Sequence, residues 1–141
     1  AIDDSNTWQA IRVAQASEFV EKLENQIDTN LAQGGTDLSG GQKQRLSIAR
    51  AIAKKPDIYI FDDCLSALDA ATDVKLREAL KSETSNATVL IVAQRISSIR
   101  NSDRILVIDE GRIVGNGTHH ELLETCETYQ QIVDSQAELN V

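Results

Sequence analysis

A chain of 141 residues with 41% hydrophobic side chains is long enough to bury one core of ordinary size, so one compact unit is expected. A formal net charge of -8 argues against a broad basic footprint for DNA or RNA. The longest apolar stretches, such as Thr88 to Ala93 and Ile105 to Ile108, are far too short to span a bilayer, and no basic region followed by an apolar core opens the chain, so the segment reads as soluble and not itself secreted.

Between Asp4 and Leu23, the residues Trp8, Ile11, Ala14, Phe19, Val20 and Leu23 fall near helical spacing, with Asp and Ser residues placed to cap two short helices. Asn25 to Asp37 loses that periodicity and carries Gly34-Gly35-Thr36, which reads as a loop. A further helix is predicted from Ser39-Gly40-Gly41 through Leu46, Ala49, Ile52 and Ala53. It should end at Lys54-Lys55-Pro56, because basic side chains suit the negative end of the helix dipole and proline cannot continue the helix. Ile58-Tyr59-Ile60-Phe61 is a continuous apolar run closed by Asp62-Asp63, the pattern of a strand buried on both faces. Asp69 can cap a helix through Leu80. Thr88 to Ala93 reads as another buried strand and Arg104 to Ile108 as a third, with a short helical piece at Ser97 to Arg100 between them. Asp109-Glu110-Gly111-Arg112 is a tight turn leading into Ile113-Val114. Thr118-x-x-Glu121 is a capping box that opens one final helix through Leu122, Leu123, Tyr129 and Ile132. Strands alternating with helices place the chain in the α/β class, with a parallel sheet. Cys64 and Cys126 lack any metal or disulfide spacing and read as reduced thiols, and His119 and His120 read as solvated residues of a helix's first turn.

Two segments carry chemistry. At Ser39-Gly40-Gly41 a helix start offers unpaired N–H groups and a positive dipole end, glycine lets an anion approach the backbone, and the serine adds a hydroxyl donor. Alone, the triplet fits a ligand-free Ser/Gly cap equally well. Asp62-Asp63 at a strand's end can hold a metal, or can simply end the strand in a turn.

Leu38-Ser39-Gly40-Gly41-Gln42, followed by Lys43-Gln44-Arg45 and a helix, resembles the signature sequence of ATP-binding cassette (ABC) proteins. Ile58-Tyr59-Ile60-Phe61-Asp62 resembles a Walker B strand, and Asp62 lies 24 residues after Leu38, a spacing like that of the family. Ser66-Ala67-Leu68-Asp69 resembles the D-loop that follows it, and Asp103 to Ile108 with Gly111 to Leu123 are similar to the closing strands and helix of exporter-type cassettes. The resemblance therefore covers nearly the whole chain. It implies an α/β fold that is part of a P-loop NTPase: a helical signature subdomain over 1–55, then the C-terminal part of the ATPase core over 56–141, with a mostly parallel sheet and flanking helices. It implies ATP and Mg²⁺ as cofactors. Leu38, Ser39, Gly40, Gly41, Gln42 and Asp69 would contact nucleotide, Asp62 would hold the metal, and Asp63 and Gln94 would take the catalytic positions.

The departures from the family pattern are specific. Asp63 stands where a glutamate usually polarises the attacking water, one methylene shorter, and a displacement of about 1 Å can cost on the order of a hundredfold in rate. Gln94 stands in place of the switch histidine; it can still hydrogen-bond a phosphate but carries no imidazole charge. Asn30 occupies the place of a glutamate in the loop, Thr29 to Gly35, that senses the transmembrane domains. The Walker A pattern G-x-x-x-x-G-K-[ST] is absent, and in the family it lies farther upstream of the signature than the 37 residues that precede Leu38. The chain thus reads as a fragment, and alone it is expected to bind ATP weakly and hydrolyse essentially none.

Because cassettes of this family pair head to tail, both catalytic departures fall in one site while the intact signature serves the other. The resemblance implies a second cassette as partner, a different subunit in this reading, together with the transmembrane domains of an exporter on the cytoplasmic side of the membrane, and no nucleic acid. A regulatory half that clamps ATP without turnover, and a soluble ABC protein outside transport, are the alternatives.

Overall fold

A computed structural model describes residues 3–64 and 66–138. They group into two compact units, divided between Leu90 and Ile91.

The first unit opens with α1 (Asp4–Val13), capped by Asp3, whose Oδ1 accepts the Asn6 N–H at 2.7 Å. Gln15 turns the chain with φ 57°, and the one-turn α2 (Ser17–Val20) follows; the expected cap is missing there, since Ala16 sits at the N-cap with no side-chain bond. Short 3-10 turns at Gln26–Asp28 and Gln33–Gly35 make up the expected loop. Next comes α3 (Gly40–Ala53), which buries Ile48, Ala49 and Ile52 and packs on α1, whose buried residues are Ala10 and Ile11. Arg45 reinforces that seam: its guanidinium lies over the Phe19 ring at 5.0 Å and donates to the Gln15 carbonyl at 2.8 Å. The strand β1 (Ile58–Asp62) leads to α4 (Ala70–Glu83), tied back to α1 by the Gln9 amide, which donates to both carboxylate oxygens of Glu83 at 3.2 and 3.1 Å. The strand β2 (Thr88–Val92) pairs with β1 and runs across the unit's boundary.

The strand expected to be buried on both faces is covered on one. Tyr59 and Phe61 are buried, their rings stacked 5.8 Å apart, whereas Ile58 and Ile60 are 61% and 67% exposed. Val89, Leu90 and Val92 of β2 are exposed as well. A continuous apolar run reports that both faces avoid water, but covering them takes two layers, and among the described residues β1 has β2 as its one strand neighbour.

In the second unit, α5 (Ile96–Ile99) precedes an antiparallel hairpin of β3 (Ile105–Asp109) and β4 (Arg112–Gly117). The two residues of its turn, Glu110 and Gly111, have φ 46° and 75°, the left-handed pair that matches the twist of two short strands. Gly115 is glycine for another reason: a Cβ there would lie 2.8 Å from Cys126 Sγ and 2.9 Å from Leu122 Cδ2, so the following helix rests directly on the strand's backbone. The core joins Ile105 and Val107 to Leu122, Cys126 and Tyr129.

The expected single last helix is two, α6 (His119–Thr125) and α7 (Glu127–Glu138), broken where Cys126 turns extended at φ -124° and ψ 102°. Thr125, Cys126 and Thr128 are weak helix formers, the Thr125 hydroxyl bonds back to the Glu121 carbonyl at 2.6 Å, and the Gln130 amide satisfies the Leu123 carbonyl across the break at 2.5 Å. The apolar spacing of Leu122, Cys126 and Tyr129 continues through the break, so periodicity alone does not reveal it. His119 also departs from the expected solvated role. Its Nδ1 lies 2.8 Å from the hydroxyl of Tyr129, which gives this buried phenol a partner.

Candidate functional site

The start of α3 is shaped by a reciprocal cap. Ser39 Oγ accepts the Gln42 N–H at 3.2 Å, and Gln42 Oε1 accepts the Ser39 N–H at 2.9 Å. The spacing S-x-x-Q announces this box as plainly as T-x-x-E announces the one at Thr118, where the Thr118 N–H donates to Glu121 Oε2 at 2.8 Å. The box leaves the Ser39 hydroxyl proton and the Gln42 amide nitrogen able to donate outward. Gly40 and Gly41 occupy the first two helical positions, whose N–H groups have no carbonyl one turn before them. This donor set suits an anion such as a phosphate.

Gly41 has a second reason to be glycine. A Cβ on it would come within 3.1 Å of the Ala67 carbonyl oxygen, so the loop after β1 lies close against the helix start. Leu38, which precedes the cap, is half-buried. Lys43 lays its aliphatic chain along Gly35, with Cε 3.4 Å from where a Cβ would stand, and so packs the preceding loop on α3.

Asp62 ends β1 and Asp63 follows it, both exposed. Asp63 sits in the left-handed region at φ 48°, which aspartate enters more readily than glutamate. The residue that sequence reasoning overlooked is Gln44. Its Nε2 donates to the Asp63 carbonyl at 3.3 Å and to Ser66 Oγ at 3.2 Å, while its Oε1 accepts the Ala67 N–H at 3.0 Å. Two residues after Gln42 it looks like an ordinary polar helix position, and only the loop folded against it reveals both ends of its amide in use. Cys64, within this loop, has its thiol pushed up to about 11, by burial first and by the charges of Asp63 and Asp62 in addition, so it is a thiol and not a thiolate at neutral pH. Asp69 caps α4: Oδ2 accepts the Thr72 hydroxyl at 2.7 Å and Oδ1 the Thr72 N–H at 2.9 Å, and these bonds hold its carboxyl below the usual range.

The structure thus brings Ser39, Gly40, Gly41 and Gln42 together with Asp63, Ser66 and Ala67 in the first unit. Gln94 belongs to the second unit, where its side chain is exposed. There the Gln136 amide of α7 donates to the Gln94 carbonyl at 2.7 Å and accepts the Ile96 N–H at 2.8 Å. Among the described residues no three of His, Cys, Asp and Glu gather to hold a metal ion. A single carboxylate at Asp62 is nevertheless compatible with Mg²⁺, which keeps several waters and takes most of its other ligands from phosphates. Among the same residues no helix is long and apolar enough to cross a membrane.

Comparison with known proteins bears on this geometry. Residues 3–66 match the family model described as ABC transporter. An uncharacterized ABC transporter ATP-binding protein of Mycobacterium tuberculosis is 46% identical over 136 residues, which is 96% of this chain and 23% of that protein. The ATP-dependent lipid A-core flippase of Francisella tularensis is 41% identical over 134 residues, 95% of this chain and 22% of the flippase. Among solved structures, a bacterial Atm1-family ABC exporter with ATP bound superposes with a TM-score of 0.92 at 34% identity, over 97% of this chain and 24% of the exporter. The chain spans less than a quarter of the length of each of these proteins.

Proposed function

We propose, because this chain belongs to the ABC transporter family as part of an exporter-type nucleotide-binding domain, that its parent protein couples ATP binding and hydrolysis at a cassette dimer interface to export across a membrane. The carrying observation is the capped, glycine-opened start of α3 seated against the loop that bears Asp63. In this reading residues 1–55 form the signature subdomain and 56–141 the C-terminal part of the ATPase core, on the cytoplasmic side of the membrane.

When bound, ATP supplies the phosphoryl group and Mg²⁺ the positive charge that steadies it. Asp62 would hold the metal with its one carboxylate, and Asp63 would orient and polarise the attacking water. The Ser39 hydroxyl, the Gly40 and Gly41 amides and the Gln42 side chain would donate to the terminal phosphate of the nucleotide held by the opposite cassette, with Leu38 and Asp69 bordering that contact. Gln94 would hydrogen-bond the phosphate on this chain's own side.

The shorter Asp63 and the uncharged Gln94 support the finer reading that this chain's own site is slow and that a different cassette completes a competent one around the intact signature. A regulatory half that holds ATP without turnover is the second reading, favoured by the same two residues. ATP hydrolysis by the full-length protein, alone and mixed with candidate partner cassettes, tests both. Low activity alone with a large rise on mixing supports the asymmetric pair. Strong activity alone means Asp63 and Gln94 suffice. No activity in any pairing leaves the regulatory reading.

A further inference from the structure

We infer that Gln44 is a positioning residue for hydrolysis, its side-chain amide setting the backbone of Asp63 against the anion-binding start of α3; the inference rests on the ATPase reading above. The loop is held at both ends by this one group. At its beginning the Asp63 carbonyl accepts from Gln44 Nε2 at 3.3 Å and from Ser66 Oγ at 3.1 Å, and at its end the Ala67 N–H donates to Gln44 Oε1 at 3.0 Å. Only an amide side chain offers a donor and an acceptor in one plane at that reach.

The grip matters because of where Asp63 sits. Its φ of 48° is a conformation that persists in a non-glycine residue when the surroundings over-determine it. Loss of the bonds to its carbonyl would let the backbone relax and swing the Cα–Cβ direction, carrying the carboxylate away from the place where a water must be held. Gly41, one turn earlier on α3, limits how closely the same loop approaches, since its notional Cβ would lie 3.1 Å from the Ala67 oxygen, so the loop is both pulled and limited by the first two turns of α3. A helix that moved on binding phosphate at Ser39 to Gln42 would therefore move the Asp63 backbone with it.

The test uses the full-length exporter, with the catalytic acid of the opposite cassette removed if that cassette is a different subunit, so that turnover reports the site of Asp63. Gln44→Met keeps length and removes all three bonds of the amide. It should lower kcat by roughly tenfold to a hundredfold, with KM for ATP within about twofold and the Tm close to wild type. It should also speed alkylation of Cys64, in the gripped loop, while Cys126, buried in the other unit, serves as internal control. Ser66→Ala, which removes one bond to the same carbonyl, should act in the same direction and less, and it carries the test if the Gln44 variant does not fold. Unchanged kcat and unchanged Cys64 alkylation in Gln44→Met overturn the inference. Loss of activity that merely tracks a fall in Tm does so too. A wild-type exporter that hydrolyses no ATP in any pairing overturns the ATPase reading and this inference together.

Discussion

In each of the two units a glutamine grips a segment that carries a candidate site residue, and the two grips differ. In the first, Gln44 reaches from the helix before the loop and binds a carbonyl, a hydroxyl and an N–H around a residue with φ 48°. In the second, Gln136 reaches from a later helix and binds main chain, donating to the Gln94 carbonyl and accepting the Ile96 N–H, as a neighbouring strand would. On the inference above, the first grip maintains a backbone conformation that a non-glycine residue keeps only when its surroundings hold it; the second guides the path of an extended segment whose side chain remains exposed. A loop held in an unfavourable conformation loses its shape when released, whereas an ordinary one loses mainly its rigidity.

This contrast orders the expected effects. The largest belongs to Gln44→Met, with its fall of about tenfold or more in turnover; Gln136→Met, measured in the same assay, should cost only a few-fold. Equal losses would mean that the Asp63 conformation gains nothing from its clamp.

Next in size are the glycines, where close packing and backbone conformation separate cleanly. Gly115→Ala pushes a methyl into Cys126 and Leu122 and should destabilise the second unit by about 1–3 kcal/mol in thermal or denaturant unfolding. Gly111→Ala meets no atom within 4 Å but must hold φ 75°, and should cost about 1 kcal/mol. Ser39→Ala and Thr118→Ala each break one capping box, at about 1 kcal/mol apiece. Only the Ser39 change should also weaken nucleotide-dependent turnover, and that split between stability and activity sharpens the functional difference between the two helix starts.

The smallest effect is one of pH. Glu121 is held below its usual range by the Thr118 N–H first and its hydroxyl second, as Asp69 is by Thr72. Both carboxyls therefore bind protons more readily in the unfolded chain. Their contribution is fully present above the ordinary carboxylate value and is lost as pH falls through the depressed folded value. The Tm difference between wild type and Glu121→Gln should shrink on acidification from about pH 7 to about pH 3. A constant difference would mean that the bond contributes equally with either protonation state.

Several features are legible in the sequence because they are local. The Asp69 cap, the box at Thr118, the Glu110-Gly111 turn and the limits of α3 depend on residues two to four positions apart, and each formed as expected. The box at Ser39 carried the same spacing signal and was open to the same reading. What failed was judged from periodicity, which reports water avoidance and not coverage. It could not separate a strand covered on one face from one covered on two at Ile58 and Ile60, nor see that the helix through Leu122 and Tyr129 breaks at Cys126.

The sequence by itself determined the α/β class, the family resemblance and the positions of the residues that resemble the signature, Walker B and D-loop motifs, since these reside in short runs whose order along the chain carries the information. Only the tertiary structure decided that Gln44 meets Ala67, 23 residues away, that Gln136 meets Gln94, 42 residues away, and that His119 partners Tyr129. A glutamine's amide bonds with whatever packing brings within about 3 Å, and that partner is set by how helices and loops fold together, which no local spacing records.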